Sequence, residues 1–521
     1  MAEVKRSFSM ISGIQRNMTD KIYTNQENIS KVYNMVNIEP SSIAGELQKS
    51  PGFKLVIDTG SLSPINNIFF SVDNNQQQRM TITSNSSLYD IQNWNNLSSV
   101  SKLIIPNTIQ GNMFLVSITD KNLGKVIVII NGIDPPYVYD YSSISNLNNN
   151  LSFISSFGFY SNDRLWLNDI NEQSVIHWST ALDCTDFTTV DNAGLLQMGD
   201  GKTKITAIGR MFVPKDNSTN LIVSKANEIW GISGDTGDST DANRFKQFPI
   251  SENVIGTTNN HGLISIDQQL MVIGANDISL LGKTIYGNIV KESFFDELRD
   301  FYRTEINISN VDNFIPIINN KDGYYSRVYI LCSSLNTTYN NKALVFDAIN
   351  GWFIRDFGTF RFCSIAVDPD TNKIYLGSSD GKIYVIENDY YLYDQTSYES
   401  LLETGFINFS YDQDGKQLTE NSQIDINVTT ISDFNFKFKK KYRNGFIKTT
   451  QKNTKIHPAY IPPSQINPYY EDNIDQRYLS NNIKINSPGL FNELSLEISN
   501  SEKYNFKIKN ILLESKVPII R

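Results

Sequence analysis

From about residue 51 to residue 395 the chain repeats one pattern: short apolar runs rich in Ile, Val, Tyr and Phe, broken by Asn, Asp, Gly or Ser. Such runs predict β-strands, and the breaking residues predict turns. "GKVIVIING" (124–132), "DRLWLND" (163–169), "NLIVSKANEIWGIS" (220–233), "QQLMVIGANDISLLG" (268–282) and "SRVYILCSS" (326–334) show it clearly. Many of these runs are apolar at every position. A sheet with one wet face would alternate, so both faces are expected to be covered.

The stretch "NKIYLGSSDGKIYVIEND" (372–389) is the most legible. Asp380-Gly381 suits a two-residue type I′ turn, which pairs Leu376 with Val385 and Tyr375 with Ile386. With "ALVFDAINGWFIRDFG" (343–358) it makes four strands in about 45 residues, near the period of a propeller blade. Blades press against neighbours on both faces. Residues 51–395 hold roughly six or seven such units.

Three segments depart from the pattern. "NIVKESFFDELRDFYR" (288–303) places Ile289, Phe294, Leu298 and Phe301 near helical spacing and predicts one inserted helix. Residues 1–50, ending before "PGF", read as an irregular lead-in with one short amphipathic piece. Beyond about residue 400, "QIDINVTTISDFNFKFKKKYRNGFIKTT" (423–450) predicts a long hairpin turning at Arg443-Asn444-Gly445. A Pro-bearing loop, "HPAYIPPSQINPYYED" (457–472), follows, and 491–517 predicts an alternating strand pair. The fold class expected is therefore all-β: a lead-in (1–50), a degenerate β-propeller (51–395) with one inserted helix, and a C-terminal β-sandwich-like domain (396–521).

Composition narrows the function classes. The 521 residues are 40% hydrophobic and 12% aromatic, a globular balance. The net charge of −9 argues against a surface that grips nucleic acid all over. It is uneven: residues 401–521 carry +3 and the remainder −12. Three scattered cysteines, Cys184, Cys332 and Cys363, suggest no disulfide framework, and a reducing cytoplasm is the expected site of folding. No secretory leader and no apolar run of about 18 residues are seen.

A search for chemistry finds little. His177, His261 and His457 form no HExxH motif, and no phosphate-binding glycine loop occurs. "DPDTNK" (368–373) opens like a calcium loop, yet Lys373 stands where Gly is needed and Ser379 where a bidentate Glu belongs. An ordinary turn is the better reading. Trp94, Trp166, Trp178, Trp230 and Trp352 lack the regular spacing of a quinoprotein-type docking motif. Paired glycosidase carboxylates can be neither found nor dismissed among so many acids. No cofactor is expected.

The basic run "KFKKKYR" (437–443) is the one candidate contact surface. On a strand, Lys437, Lys439, Lys441 and Arg443 share one face, with Phe438, Lys440 and Tyr442 on the other. Lys437, Lys439, Lys440, Lys441 and Arg443 could contact phosphates or an acidic partner, or form a solvated hairpin tip.

Taken in order, several segments resemble the tail nozzle proteins of short-tailed bacteriophages, also known as packaged-DNA stabilisation proteins. The resemblance begins at "NISKVYNMVNIEP" (28–40) and "SPGFKL" (50–55), with Met35-Val36-Asn37 where an aromatic is more usual. It continues through "GIDPPYVYD" (132–140), "DRLWLNDINEQSVIHWSTALDCTDF" (163–187) and "NEIWGISGDTGD" (227–238). "VIGTTNNHGLISIDQQLMVIGANDI" (254–278) and "ALVFDAINGWFIRDFG" (343–358) extend it to about residue 390. The resemblance implies a structural virion protein that is no enzyme. Six copies would form a ring, joined to adaptor or other ring proteins and carrying tail fibres or spikes. The ring would hold packaged double-stranded DNA and pass it during ejection. It further implies host cytoplasm before assembly and the virion tail afterwards. The alternatives are a glycan-binding or glycan-cleaving propeller and an intracellular interaction scaffold.

Overall fold

A computed structural model describes residues 2–9, 28–29, 31–41, 46–105, 109–149, 151–213, 218–238, 240–241, 243–251, 256–266, 269–283, 289–292, 295–321, 325–408, 420–430, 433–442, 446–454, 479–487, 493–503 and 505–517. Among these residues the chain forms a β-propeller of seven antiparallel sheets with a β-sandwich attached. The innermost strands of the blades are Ile65–Val72, Phe114–Asp120, Gly158–Ser161, Ala207–Val213, Leu263–Ile266, Ile315–Lys321 and Phe362–Val367. Each lies against the next, and the last lies against the first, so the ring is closed. The seventh blade takes its outermost strand, Gly52–Asp58, from the N-terminal side of the propeller, which ties the two ends of the ring together.

The continuous apolar runs are explained by where alternate side chains go. In the strand Gly124–Ile130, Ile127 and Ile129 pack against the first blade, whereas Val126, Val128 and Ile130 pack against the third. Leu165 and Leu167 face the second blade and Trp166 the fourth. Leu270 and Val272 face the fourth blade and Met271 and Ile273 the sixth. The core is thus a set of layers between blades, and a period-2 strand must be apolar at both parities to fill two of them.

The hairpin of the seventh blade is covered on both faces, but its register differs from the expected one. Tyr375 pairs with Val385 and Leu376 with Tyr384. Gly381 has a φ of +82° while Asp380 is absent from the left-handed region. A type I′ turn needs both central residues there; a three-residue loop needs only its last. The longer loop shifts the pairing by one residue. Tyr375, Ile383 and Val385 accordingly face the first blade, and Ile374, Leu376, Tyr384 and Ile386 the sixth.

The segment 288–303 is also corrected. Ile289–Glu292 forms the outer strand of the fifth blade, paired with Leu280–Lys283, and only Arg299–Glu305 is α-helical. Strand pairing overrides the local helical spacing. Phe294 lies outside the described residues. Phe295, Leu298, Phe301 and Tyr302 are buried in the core that joins the fifth to seventh blades and the sandwich.

The described parts of residues 1–50 are not an irregular lead-in but short strands. Ala2–Ser9 pairs antiparallel with Phe506–Val517, placing the two ends of the chain side by side in one sheet of the sandwich. Glu420–Thr430 and Leu479–Ser487 extend that sheet. The second sheet contains Phe434–Lys441, Ile447–Thr454, Glu493–Asn500 and Ser400–Glu403. The two arms of the expected 491–517 hairpin therefore belong to opposite sheets, as do 420–430 and 434–441. Asn34–Val36 bridges the second sheet to strand Gly351–Asp356 of the sixth blade, so blade and sandwich share one continuous sheet. The loop 457–472 lies outside the described residues.

Candidate functional site

Residues at or just before the starts of the inner strands of the first, second, fifth, sixth and seventh blades surround a cavity of about 470 Å³. That volume is in the small-molecule range of roughly 300–1,000 Å³. Asn66 and Asn67 come from the first blade, Asn112, Met113 and Phe114 from the second, Asn260 and His261 from the approach to the fifth, Asn313 and Asn340 from the sixth, and Phe362 and Cys363 from the seventh. Asn66 Nδ2 donates to Asn112 Oδ1 at 2.8 Å, and Asn340 Nδ2 donates to the Asn313 carbonyl at 2.8 Å. These amides tie adjacent loops together while keeping polar atoms at the mouth.

The His261 ring stacks on Phe114, with centroids 5.1 Å apart and planes 19° from parallel. Burial pulls its pKa down to about 4, so the imidazole is neutral near pH 7. Among the described lining residues Asp312 is the one carboxylate, and none is a lysine or arginine.

A neighbouring cavity of about 440 Å³ shares Ser156, Asn260 and Asp312 with the first and runs past Asp169 and Lys204. Behind it, His177 Nε2 lies 3.3 Å from Asp169 Oδ2 and its ring stacks on Phe153 at 3.9 Å. Burial lowers the His177 pKa, against the opposing pull of Asp169. The pair is held as part of the second-to-third blade seam.

A third cavity, about 390 Å³, lies between the sixth and seventh blades beside residues 39–54. Buried Arg327 pairs with Asp347 at 2.7 Å and Glu39 at 3.4 Å. Arg355 donates to the Pro51 carbonyl. Lys373 pairs with Glu387 at 2.8 Å. Arg327, Arg355, Lys54 and Lys373 are matched in number by Glu39, Asp347, Glu387 and Asp389 among the described residues.

The lysine row lies elsewhere, on the sandwich. Lys437 pairs with Glu497 at 2.6 Å, Lys439 with Glu403 at 2.6 Å and Glu497 at 3.3 Å, and Lys441 with Glu493 at 2.8 Å. Each of these three lysines thus faces acid from a neighbouring strand of its own sheet. Lys440 points to the opposite, buried side, and burial lowers its pKa, followed by repulsion from Lys448 and Lys452. Arg443 lies outside the described residues.

Asp368 of the calcium-like segment spends its carboxylate within the fold. It accepts from the Asp370 backbone N–H, from Gln78 and from Trp94. Among the described residues no group of three or more His, Cys, Asp or Glu side chains is placed to hold a metal. Nor is any helix long and apolar enough to cross a membrane. The channel-mouth residues carry no motif that singles them out in the sequence. Their one signal is an Asn just before a blade's first apolar run, as in "PINNIFF" (64–70), "GNMFLV" (111–116) and "NNHGLISI" (259–266).

No family model matches the chain, and no curated protein matches it. Similar solved structures include a catalytically inactive virginiamycin B lyase from Staphylococcus aureus with quinupristin. It is 16% identical with a TM-score of 0.39, covering 64% of this chain and 98% of that one. A streptogramin B lyase is 12% identical with a TM-score of 0.40, covering 65% and 97%. YCF48 from Cyanidioschyzon merolae is 9% identical with a TM-score of 0.38, covering 64% and 98%. The expectation that the chain is no enzyme is corrected here. Structures with this likeness include lyases. At such identities the likeness extends to the fold alone.

Proposed function

We propose that the chain is a subunit of the tail nozzle of a short-tailed bacteriophage: a ring that retains packaged DNA, conducts it during ejection and carries fibre or spike proteins. The observation that carries this reading is the colinear run of nozzle-like segments between residues 28 and 390. Apart from 28–40, which bridges the sixth blade and the sandwich, those segments are pieces of blades. Residues 163–187 supply two strands of the third blade and its closing loop, and 343–358 supply the outer hairpin of the sixth.

Two physical features support it. Blade and sandwich share a sheet, which suits a rigid ring subunit with variable loops for its neighbours. Lysines paired with acids leave little unneutralised charge to hold a moving duplex. The propeller's own channel mouth has small-molecule dimensions, so a DNA conduit would lie between copies. Head-to-tail contacts that close by rotation would build it.

The test is the mass of the purified protein, alone and mixed with its candidate tail-ring partner, with negative-stain images of each species. Rings of about six copies in either sample are expected. A monomer in both overturns the proposal.

A second reading, a carbohydrate-binding propeller, is favoured by one observation: the channel mouth presents amides and aromatic rings with almost no charge.

A further inference from the structure

We infer that the channel mouth is a binding site for a neutral saccharide, held by amide side chains from different blades against the Phe114–His261 ring pair. This inference deepens the second reading above and does not depend on ring assembly.

The lining selects the ligand class. Among the described lining residues there is no lysine or arginine and a single carboxylate, and the Arg361 guanidinium stands outside the wall over the Tyr339 ring. The wall itself thus offers little to balance a phosphate, a sulfate or a sialic acid. What it offers are neutral donors and acceptors in mixed array. Asn112 uses its Oδ1 to accept from Asn66, and its Nδ2 forms no bond among the described residues. The Asn260 amide, both ring nitrogens of His261 and the Tyr339 hydroxyl likewise have no side-chain partner there, and all three residues line the cavity. A polyhydroxylated ligand can donate and accept at every hydroxyl, so it satisfies such a set better than an apolar or singly polar molecule.

The apolar part of the wall fits the same class. Phe114 and His261 form a stacked platform on the cavity side. Tyr339 at the rim is 37% exposed and lies beside the Arg361 guanidinium, 5.7 Å from its ring centroid. Aromatic faces flanked by planar amides meet the alternating C–H and O–H surfaces of a pyranose. The site is largely preformed, because Asn66–Asn112 and Asn340–Asn313 already fix its loops. Little ordering entropy then opposes binding.

Full-length protein is to be titrated by saturation-transfer NMR and calorimetry with maltose, lactose, N,N′-diacetylchitobiose and sialyllactose. The variants are Asn112→Ala, Asn260→Ala and their double, with Asn453→Ala on an exposed sandwich strand as a control. Thermal melts establish that each variant folds. At least one neutral sugar binds, each single substitution weakens it by about fivefold, as expected for one neutral hydrogen bond, and the control is unchanged. Binding that survives the double variant overturns this location and leaves the carbohydrate reading standing. A preference for sialyllactose overturns the neutral class. Failure of all four sugars to bind overturns both the inference and the second reading, while the nozzle reading is decided separately by mass.

Discussion

Gln78 of the first blade donates its Nε2 proton to Asp368 of the seventh at 2.9 Å, across a gap of 290 residues in sequence. Trp94 donates its indole N–H to the other carboxylate oxygen at 3.3 Å. Asp368 is fully buried, and it sits at the seam where the ring closes. Burial pushes its carboxyl pKa up, but the hydrogen bonds from Asp370, Thr371, Gln78 and Trp94 more than reverse this and hold it below the ordinary value. Asp368→Ala should cost about 1–3 kcal/mol, because two half-buried side-chain donors and the Asp370 backbone N–H lose their acceptor. Asp368→Asn, which keeps one oxygen acceptor, should cost less. Chemical denaturation of both variants checks the order. The bond's pH dependence follows: a depressed acid pKa stabilises above the unfolded value near 4 and is lost as pH falls through the folded one.

Ile127 and Ile130 lie on one strand and are both fully buried, yet they belong to different seams. Each Ile→Ala change should destabilise by about 2–5 kcal/mol. Because the two side chains fill separate layers, the double variant should be near additive. A sheet with one solvated face would tolerate one of the two; equal sensitivity in thermal or urea unfolding distinguishes the cases.

This double coverage is legible in the amino-acid pattern alone, because "KVIVII" is apolar at both parities and a half-wet strand is not. Blade number is not legible there, since degenerate repeats hide where one sheet stops. The register of 372–389 is ambiguous for a definite reason. Asp-Gly fits a two-residue turn and equally the end of a three-residue loop, and only packing of Tyr375 and Val385 toward Ile65 and Met80 separates them. The sandwich is half visible. Nothing local in "AEVKRSFS" (2–9) announces a partner some 500 residues away. The charged row of 437–441 is visible as a stripe, but its neutralisation depends on Glu403, Glu493 and Glu497, brought in by strands distant in sequence.

His261 supplies a pH test at the channel mouth. Its folded pKa is lowered by burial from 6.5 to about 4. Between those values the unfolded chain binds a proton that the folded chain does not. Stability should therefore fall as pH drops from about 6.5 to about 4, and this contribution should be flat above that window. His261→Gln should remove part of the slope in a series of melts. NMR titration of the imidazole C–H resonances should give a midpoint well below 6.5.

Glu497 lies within ion-pair distance of both Lys437 and Lys439. Its pKa is lowered overall, because the two lysines outweigh the burial that raises it. Glu497→Gln should leave Lys437 without its carboxylate partner and strengthen non-specific binding to duplex DNA. The slope of log affinity against log salt should steepen by about one, as one cation becomes available to phosphate. Fluorescence anisotropy across a salt series measures it. An unchanged slope would mean that this face does not meet DNA.

The pairing of Ala2–Ser9 with Phe506–Val517 gives a final prediction about how the two parts of the chain depend on each other. Deleting residues 2–9 leaves 510–517 with an open edge on one side, next to the short pairing of Lys507 and Ile508 with Gln48 and Leu47, while Glu420–Thr430 still covers the other side. Unpaired edges template association with other chains. The propeller keeps its own closing strand, Gly52–Asp58, and all seven inner strands. The truncated protein should therefore lose sandwich stability first. Its melt should gain an early transition absent from the full chain, and light scattering should show self-association at lower protein concentration. Proteolysis timed to that early transition should cut after residue 400 and spare the blades. If the truncated chain instead melts in one step at a lower temperature, the sheet shared by the sixth blade and the sandwich couples them into one cooperative unit. The bridge at Asn34–Val36 would then be the next strand to disrupt.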